Sequence, residues 1–228
     1  MPNVVNSYTD ANGVYCNKLG IADAAQLRLV EYDLVALRSD EILSRRVDLG
    51  VRGFGLARQQ AIHAHLFQDV YDWAGKTRTV SSSKRMESGM VSVFADPGTF
   101  EECWQRLEGQ THAFVIASGL TFEQKREALV EIFVEANRIH PFPEGNGRSL
   151  QVFMKELARE QGVELDYGKT NAKEWNAASA VSGIHGWLLE RQYLIPNPPD
   201  LEPIRRIFAD MAHPAALESR KGSCGLQR

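Results

Sequence analysis

The chain has 228 residues, 43% hydrophobic and 24% charged, enough to bury one sizeable core or two small ones. A net charge of −3 excludes the basic excess of a dedicated nucleic-acid binder, and no apolar run reaches the roughly 18 residues of a membrane span. The three cysteines, Cys16, Cys103 and Cys224, lie far apart with no CxxC or Cys/His spacing, which reads as free thiols rather than a disulfide frame or a zinc site.

The opening "MPNVVNSYTDANG" lacks the basic and apolar regions of a signal peptide, so a cytoplasmic location is expected and secretion is unsupported. Asp23 is a candidate N-cap for a first helix to Leu43, with Leu27, Val30, Leu34 and Leu37 on its buried face. The stretch 55–75 repeats the pattern with Ile62, Leu66, Val70 and Trp73 and predicts a second helix stopping at Gly75; His63 and His65 read as packing or surface groups on it. Gly75 to Pro97 breaks the helical period. Its β-branched runs, Thr77 to Val80 and Val91 to Phe94, flank a polar middle carrying Lys84 and Arg85, the signature of a β-hairpin.

Thr121 and Gln124 have capping-box spacing ahead of Leu129, Ile132, Phe133 and Ala136, and a further helix carries Leu150, Phe153, Met154 and Leu157 to Gly162. Residues 171–194 read as another helix, with Trp175 and Trp187 in the core, stopped by the prolines of "IPNPPDLEP". A last short helix is expected over about 203–212 and a disordered tail over 213–228.

The chemistry concentrates in "RIHPFPEGNGRSLQ", Arg138 to Gln151, between two of these helices. Gly145 and Gly147 sit where the second helix begins, so successive backbone N–H groups can form an anion nest at a positive helix end. Arg148 adds a planar cation suited to phosphate oxygens, and Asn146 an amide at the same mouth. Glu144 beside a predicted anion site is a charge conflict, which a Mg²⁺ ion between carboxylate and phosphates would resolve. His140 ends the preceding helix and is the group fit to take a proton from an incoming nucleophile. Phe142 reads as an anchor for the loop. The set describes metal-assisted phosphoryl or nucleotidyl transfer; a P-loop is excluded because the run follows a helix and ends in GRS rather than GK(S/T).

His140 through Arg148 resembles the signature of the Fic domain family, H-x-F-x-(D/E)-G-N-G-R-x-x-R, and departs from it only at Gln151, which stands where the family has its second arginine. "AIHAHLFQDVYDWAGKTRTV" resembles the helix leading into the family's flap, and "NGVYCNKLGIADAAQLRLVEYDLVALR" resembles the N-terminal part of stand-alone bacterial Fic toxins and effector Fic domains. The resemblance implies a mostly α fold, a Fic-type helical bundle with a β-hairpin flap over the active-site loop. It covers roughly residues 12 to 210, and residues 1–212 are expected as one domain: an N-terminal helical part over about 12–55, a core over about 56–195 and the C-terminal helix over about 203–212.

It further implies a protein adenylyltransferase that moves AMP from ATP to a Tyr, Thr or Ser hydroxyl of a target protein. Carried over by position, His140 is the base, Glu144 holds Mg²⁺, Gly145, Asn146 and Gly147 cradle the phosphates, and Arg148 balances charge at the α-phosphate. Thr79, Val80, Ser81, Val91, Ser92 and Val93 form the flap on which an extended target segment adds as a strand. Gln151 weakens the grip on the γ-phosphate, since losing a charged partner costs about 1.5 to 3 kcal/mol. The family's inhibitory motif, (S/T)-x-x-x-E-(G/N), is not completed at Ser83 with Glu87 or at Thr170 with Glu174, so inhibition is expected from a separate small antitoxin-like protein. Type II topoisomerases are the targets that likeness to stand-alone toxins implies; no membrane and no direct nucleic-acid partner is expected. Two alternatives stay open: transfer of another phosphoryl or nucleotidyl group on the same fold, or a catalytically weak nucleotide-binding module.

Overall fold

A computed structural model describes residues 8–86, 88–189 and 193–215. Among them the chain forms helices α1 (Ala24–Leu43), α2 (Leu56–Phe67), α3 (Phe100–Ile116), α4 (Phe122–Ile139), α5 (Asn146–Glu160), α6 (Ala172–Val181) and α7 (Glu202–Met211). Strands β1 (Ser83–Arg85), β2 (Val91–Val93), β4 (His185–Leu189) and β5 (Tyr193–Asn197) make one antiparallel sheet in the order β1-β2-β4-β5. Strands β3 (Val163–Leu165) and β6 (Ala212–Pro214) pair separately. No helix among the described residues is long and apolar enough to cross a membrane.

The core is built from the apolar stripes of α2 to α5. Ile62, Leu66 and Phe67 of α2 and Trp104 and Leu107 of α3 meet Leu129 and Phe133 of α4 and Phe153, Met154 and Leu157 of α5, all buried. The Thr121 capping box forms, with its side chain accepting from Gln124 N and Gln124 returning the bond, so α4 starts where the sequence predicts. Asp23 likewise caps α1 by accepting from Gln26 N at 2.7 Å.

Several expectations are corrected. The buried stripe of α1 is Leu27, Glu31, Val35 and Ile42, while Leu37 is 53% exposed. Both readings keep helical spacing, and the actual one accepts a carboxylate where a sequence pattern looks for a hydrophobe. Helix α2 ends at Phe67, not Gly75; the N–H groups of Val70 and Tyr71 both turn back to the Phe67 carbonyl, which folds these side chains into the core. Helix α3 was not anticipated, because Thr111 interrupts its stripe of Phe100, Cys103, Trp104, Leu107 and Phe114.

The helix expected over 171–194 stops at Val181 and gives way to the β4–β5 hairpin, leaving Trp187 49% exposed. Gly183 and Gly186 weaken helix by about 1 kcal/mol each, and Gly186 fits the strand because a Cβ there would lie 2.0 Å from the Ile195 carbonyl oxygen. Of the expected tail, His213 and Pro214 belong to β6; residues 216–228, with Cys224, lie outside the described residues.

Candidate active site

Helix α4 delivers His140 as its C-cap in the left-handed region, φ 49°, an uncommon conformation for a residue other than glycine. Arg78 holds it there. This buried guanidinium donates from Nε to the His140 carbonyl at 2.9 Å, and to Val80 and Ala95 carbonyls at 2.6 Å each, while the Arg78 N–H donates to Pro141. One side chain thus joins the root of the hairpin to the end of α4. Thr77–Val80 does not form the expected strand: the Arg78 N–H goes to Pro141, the Thr79 N–H to the Tyr8 hydroxyl, and the Val80 carbonyl to the Arg78 guanidinium.

The imidazole of His140 lies flat under Phe94, with ring centroids 3.6 Å apart and planes 6° apart. Its Nδ1 is shut off from solvent and makes no well-formed hydrogen bond. Burial, reinforced by the Arg78 and Lys84 cations and opposed by the Asn137 main chain, pushes its pKa down to about 3. The ring is therefore neutral at physiological pH.

Between the helices, the loop is pinned from two sides. Asn146 accepts at Oδ1 from Phe142 N–H (2.8 Å) and donates from Nδ2 to the Phe142 carbonyl (2.7 Å). His63 stacks on Phe142 and Phe67, at 3.9 and 4.5 Å, and its Nε2 donates to the Glu144 carbonyl at 2.9 Å. Gly145 then caps α5 with φ +79°, and a Cβ there would fall 2.2 Å from the Phe67 ring, so only glycine fits. The first N–H groups of α5, at Asn146, Gly147 and Arg148, have no carbonyl one turn back, the arrangement that suits an anion.

Arg148 is held more firmly than its position in the first turn implies. Nη2 donates to Glu144 Oε1 at 3.1 Å, Nη1 forms an ion pair with Glu31 of α1, and the guanidinium lies 4.9 Å from the Tyr32 ring centre and 5.0 Å from that of Phe67. Glu31 also accepts from the Tyr71 hydroxyl.

A model of the Fic/DOC family matches residues 54–158. The probable protein adenylyltransferase Fic of Salmonella typhimurium is 30% identical over 192 residues, covering 84% of each chain. The chain belongs to the Fic/DOC family. The protein adenylyltransferase VbhT of Bartonella schoenbuchensis is 36% identical over 77% of this chain, which spans only 35% of that relative's length. Among solved structures, that of the Bartonella effector BepC from Bartonella tribocorum, with bound AMPPNP, superposes with a TM-score of 0.73 at 23% identity, covering 92% of this chain and 97% of the other; it shares the mostly helical fold with a small antiparallel sheet.

Of the residues expected in this Fic site, His140, Glu144, Gly145, Gly147 and Arg148 converge at the α4–α5 loop. Two differ from expectation in what they offer. The Asn146 amide is used up on Phe142, leaving its backbone N–H at the mouth. The Gln151 side chain, half-buried on α5, makes no hydrogen bond to any described residue.

The flap also shifts. Strand β2 is paired on both sides, Val91 with Arg85 and with Gly186, so Val91, Ser92 and Val93 cannot take an added strand. Thr79 N–H donates to the Tyr8 hydroxyl and Ser81 Oγ donates to Asp96, at the root of the hairpin rather than along its edge. Of the two edge strands, β1 and β5, exposed β1 (Ser83–Arg85) is close enough to His140 for Lys84 to depress its pKa.

Sequence reasoning missed Glu31, Tyr71, Arg78 and Phe94. The one readable signal was Glu31, an acid four residues after Leu27 and four before Val35, in register with a buried stripe.

Proposed function

We propose that the chain is a protein adenylyltransferase. A Tyr, Thr or Ser hydroxyl of a target protein gives its proton to His140 as its oxygen attacks the α-phosphorus of ATP. A new P–O bond forms, the bond to the β-phosphate oxygen breaks, and pyrophosphate leaves with that electron pair. The reading is supported by one observation: the loop from His140, the C-cap of α4, leads directly into the start of α5, where the N–H groups of Asn146, Gly147 and Arg148 have no helical acceptor and the geometry depends on Gly145. The names of the relatives and the nucleotide in the BepC structure support it.

Glu144 fits Mg²⁺. Its carboxylate is 42% exposed, gives one oxygen to Arg148, and is a hard donor of the kind Mg²⁺ takes alongside substrate phosphates and water. Bound there, the ion would neutralise charge on the phosphate oxygens.

The target would add as a strand to β1, whose Lys84 and Arg85 favour an acidic segment. Restraint by a small partner carrying (S/T)-x-x-x-E-(G/N), action in the cytosol, and a type II topoisomerase as target complete the toxin-like reading. A second reading, a nucleotide-binding module with little turnover, is favoured by the unpartnered Gln151 side chain.

Incubation of bacterial lysate with ATP labelled at the α- or γ-phosphate separates these readings. α-Label on a protein, lost in His140→Ala, is the expected result. γ-Label would identify phosphoryl transfer, and binding of ATP without label on any protein would identify the inert module.

A further inference from the structure

Helix α1 buries a carboxylate in an otherwise apolar stripe, and the partners of that carboxylate lead to the reacting loop. Glu31 is 5% exposed, between Leu27 and Val35. A buried anion is costly unless it is paired and hydrogen-bonded. Glu31 is both: Tyr71 donates its hydroxyl proton to one oxygen, and Arg148 pairs with the other. Tyr71 is itself fixed by stacking on Trp73, with centroids 4.1 Å apart.

The other end of Arg148 reaches Glu144, and the Tyr32 and Phe67 rings lie against its guanidinium. The guanidinium is thus engaged by two carboxylates and two aromatic rings. We propose that Glu31 is a positioning residue that aims Arg148 and, through it, sets the orientation and charge of Glu144; this rests on the adenylyltransferase reading, in which Glu144 holds Mg²⁺.

The electrostatics give the relay its use. Arg148 alone would neutralise Glu144 and weaken its attraction for a divalent cation. With Glu31 on the opposite edge, the three side chains carry one net negative charge, and Glu144 keeps its pull on the metal while Arg148 restrains its rotamer. An outer partner of this kind is worth about 10- to 100-fold in metal affinity.

The test is calorimetric titration of a non-hydrolysable ATP analogue into the full chain over a series of Mg²⁺ concentrations, for wild type, Glu31→Gln and Tyr71→Phe. In wild type, binding strengthens with Mg²⁺. In Glu31→Gln the Mg²⁺ concentration giving half of that effect rises about tenfold or more because Arg148 then neutralises Glu144, while binding without Mg²⁺, which does not use the Glu144–metal contact, is undiminished. Tyr71→Phe, which keeps the ring and its stacking, moves the midpoint in the same direction by less and serves if Glu31→Gln does not fold. An unchanged Mg²⁺ midpoint in the folded variants overturns the proposal. Tighter Mg²⁺-dependent binding in Glu31→Gln also overturns it and makes Glu31 an inhibitory carboxylate. Nucleotide binding by none of the proteins, wild type included, overturns the adenylyltransferase reading and this proposal with it.

Discussion

His63 Nε2 donates to the Glu144 carbonyl at 2.9 Å while its Nδ1 accepts from the Gly75 N–H at 2.9 Å. An imidazole with one proton satisfies both bonds; an imidazolium would set two donors against each other at Gly75. The ring ties the root of the hairpin to the loop that carries the candidate metal ligand.

That tautomer makes the fold acid-sensitive. Burial, helped by the Arg148 cation, pushes His63 down to about 4 from the ordinary 6.5, and His140 moves the same way. Above pH 6.5 both states are neutral and the stability is fully present; as pH falls toward 4 the unfolded chain binds the proton first, and stability is lost. His63 alone accounts for about 2 kcal/mol of loss by pH 5. Urea unfolding at pH 7 and pH 5 measures it, and His63→Phe should flatten the slope while costing about 2 kcal/mol at pH 7 for two unpaired main-chain groups. A slope unaltered in that variant refutes the assignment.

Phe94 is the lid on His140. Phe94→Ala admits water and should raise the His140 pKa by about one unit or more toward 6.5, followed by the ring resonances in an NMR pH titration. No movement would mean that Phe94 does not desolvate the ring.

Gly145 and Gly147, two residues apart, should respond oppositely to alanine. Gly145→Ala meets both a left-handed backbone and the Phe67 ring, and should cost about 2 to 5 kcal/mol. Gly147→Ala has open space and a helical backbone, and should keep or raise stability by up to about 1 kcal/mol. Thermal and urea unfolding of both variants decides it; equal losses would contradict the geometry.

Gln151→Arg supplies a cation on the α5 turn after Arg148, where no described residue bonds the present side chain. Binding of ATP should tighten about 10- to 100-fold relative to wild type, and that of ADP by less, because a charged bond to the terminal phosphate is worth about 1.5 to 3 kcal/mol. Equal gains for both nucleotides would place the contribution elsewhere.

Local chemistry determined much of this protein from sequence alone. The Thr121 capping box, the Asp23 cap, and the glycine pattern from Gly145 act within a few residues, so α4 and the starts of α1 and α5 were legible without coordinates. His140, Glu144 and Arg148 were candidates on the same local ground, being neighbours in the chain. What only the tertiary structure decided are contacts between distant segments. The hairpin β4–β5 forms where Gly186 lets β5 close on β4 while β4 pairs with β2, contacts that no local signal in its residues announces. The Arg78 clamp spans the 62 positions to His140, and Glu31 reaches Arg148 from another helix. Burial there inverts the usual rule: a charge is tolerated in a core stripe because its counter-charge arrives from elsewhere in the chain, and no periodicity within α1 can announce that partner.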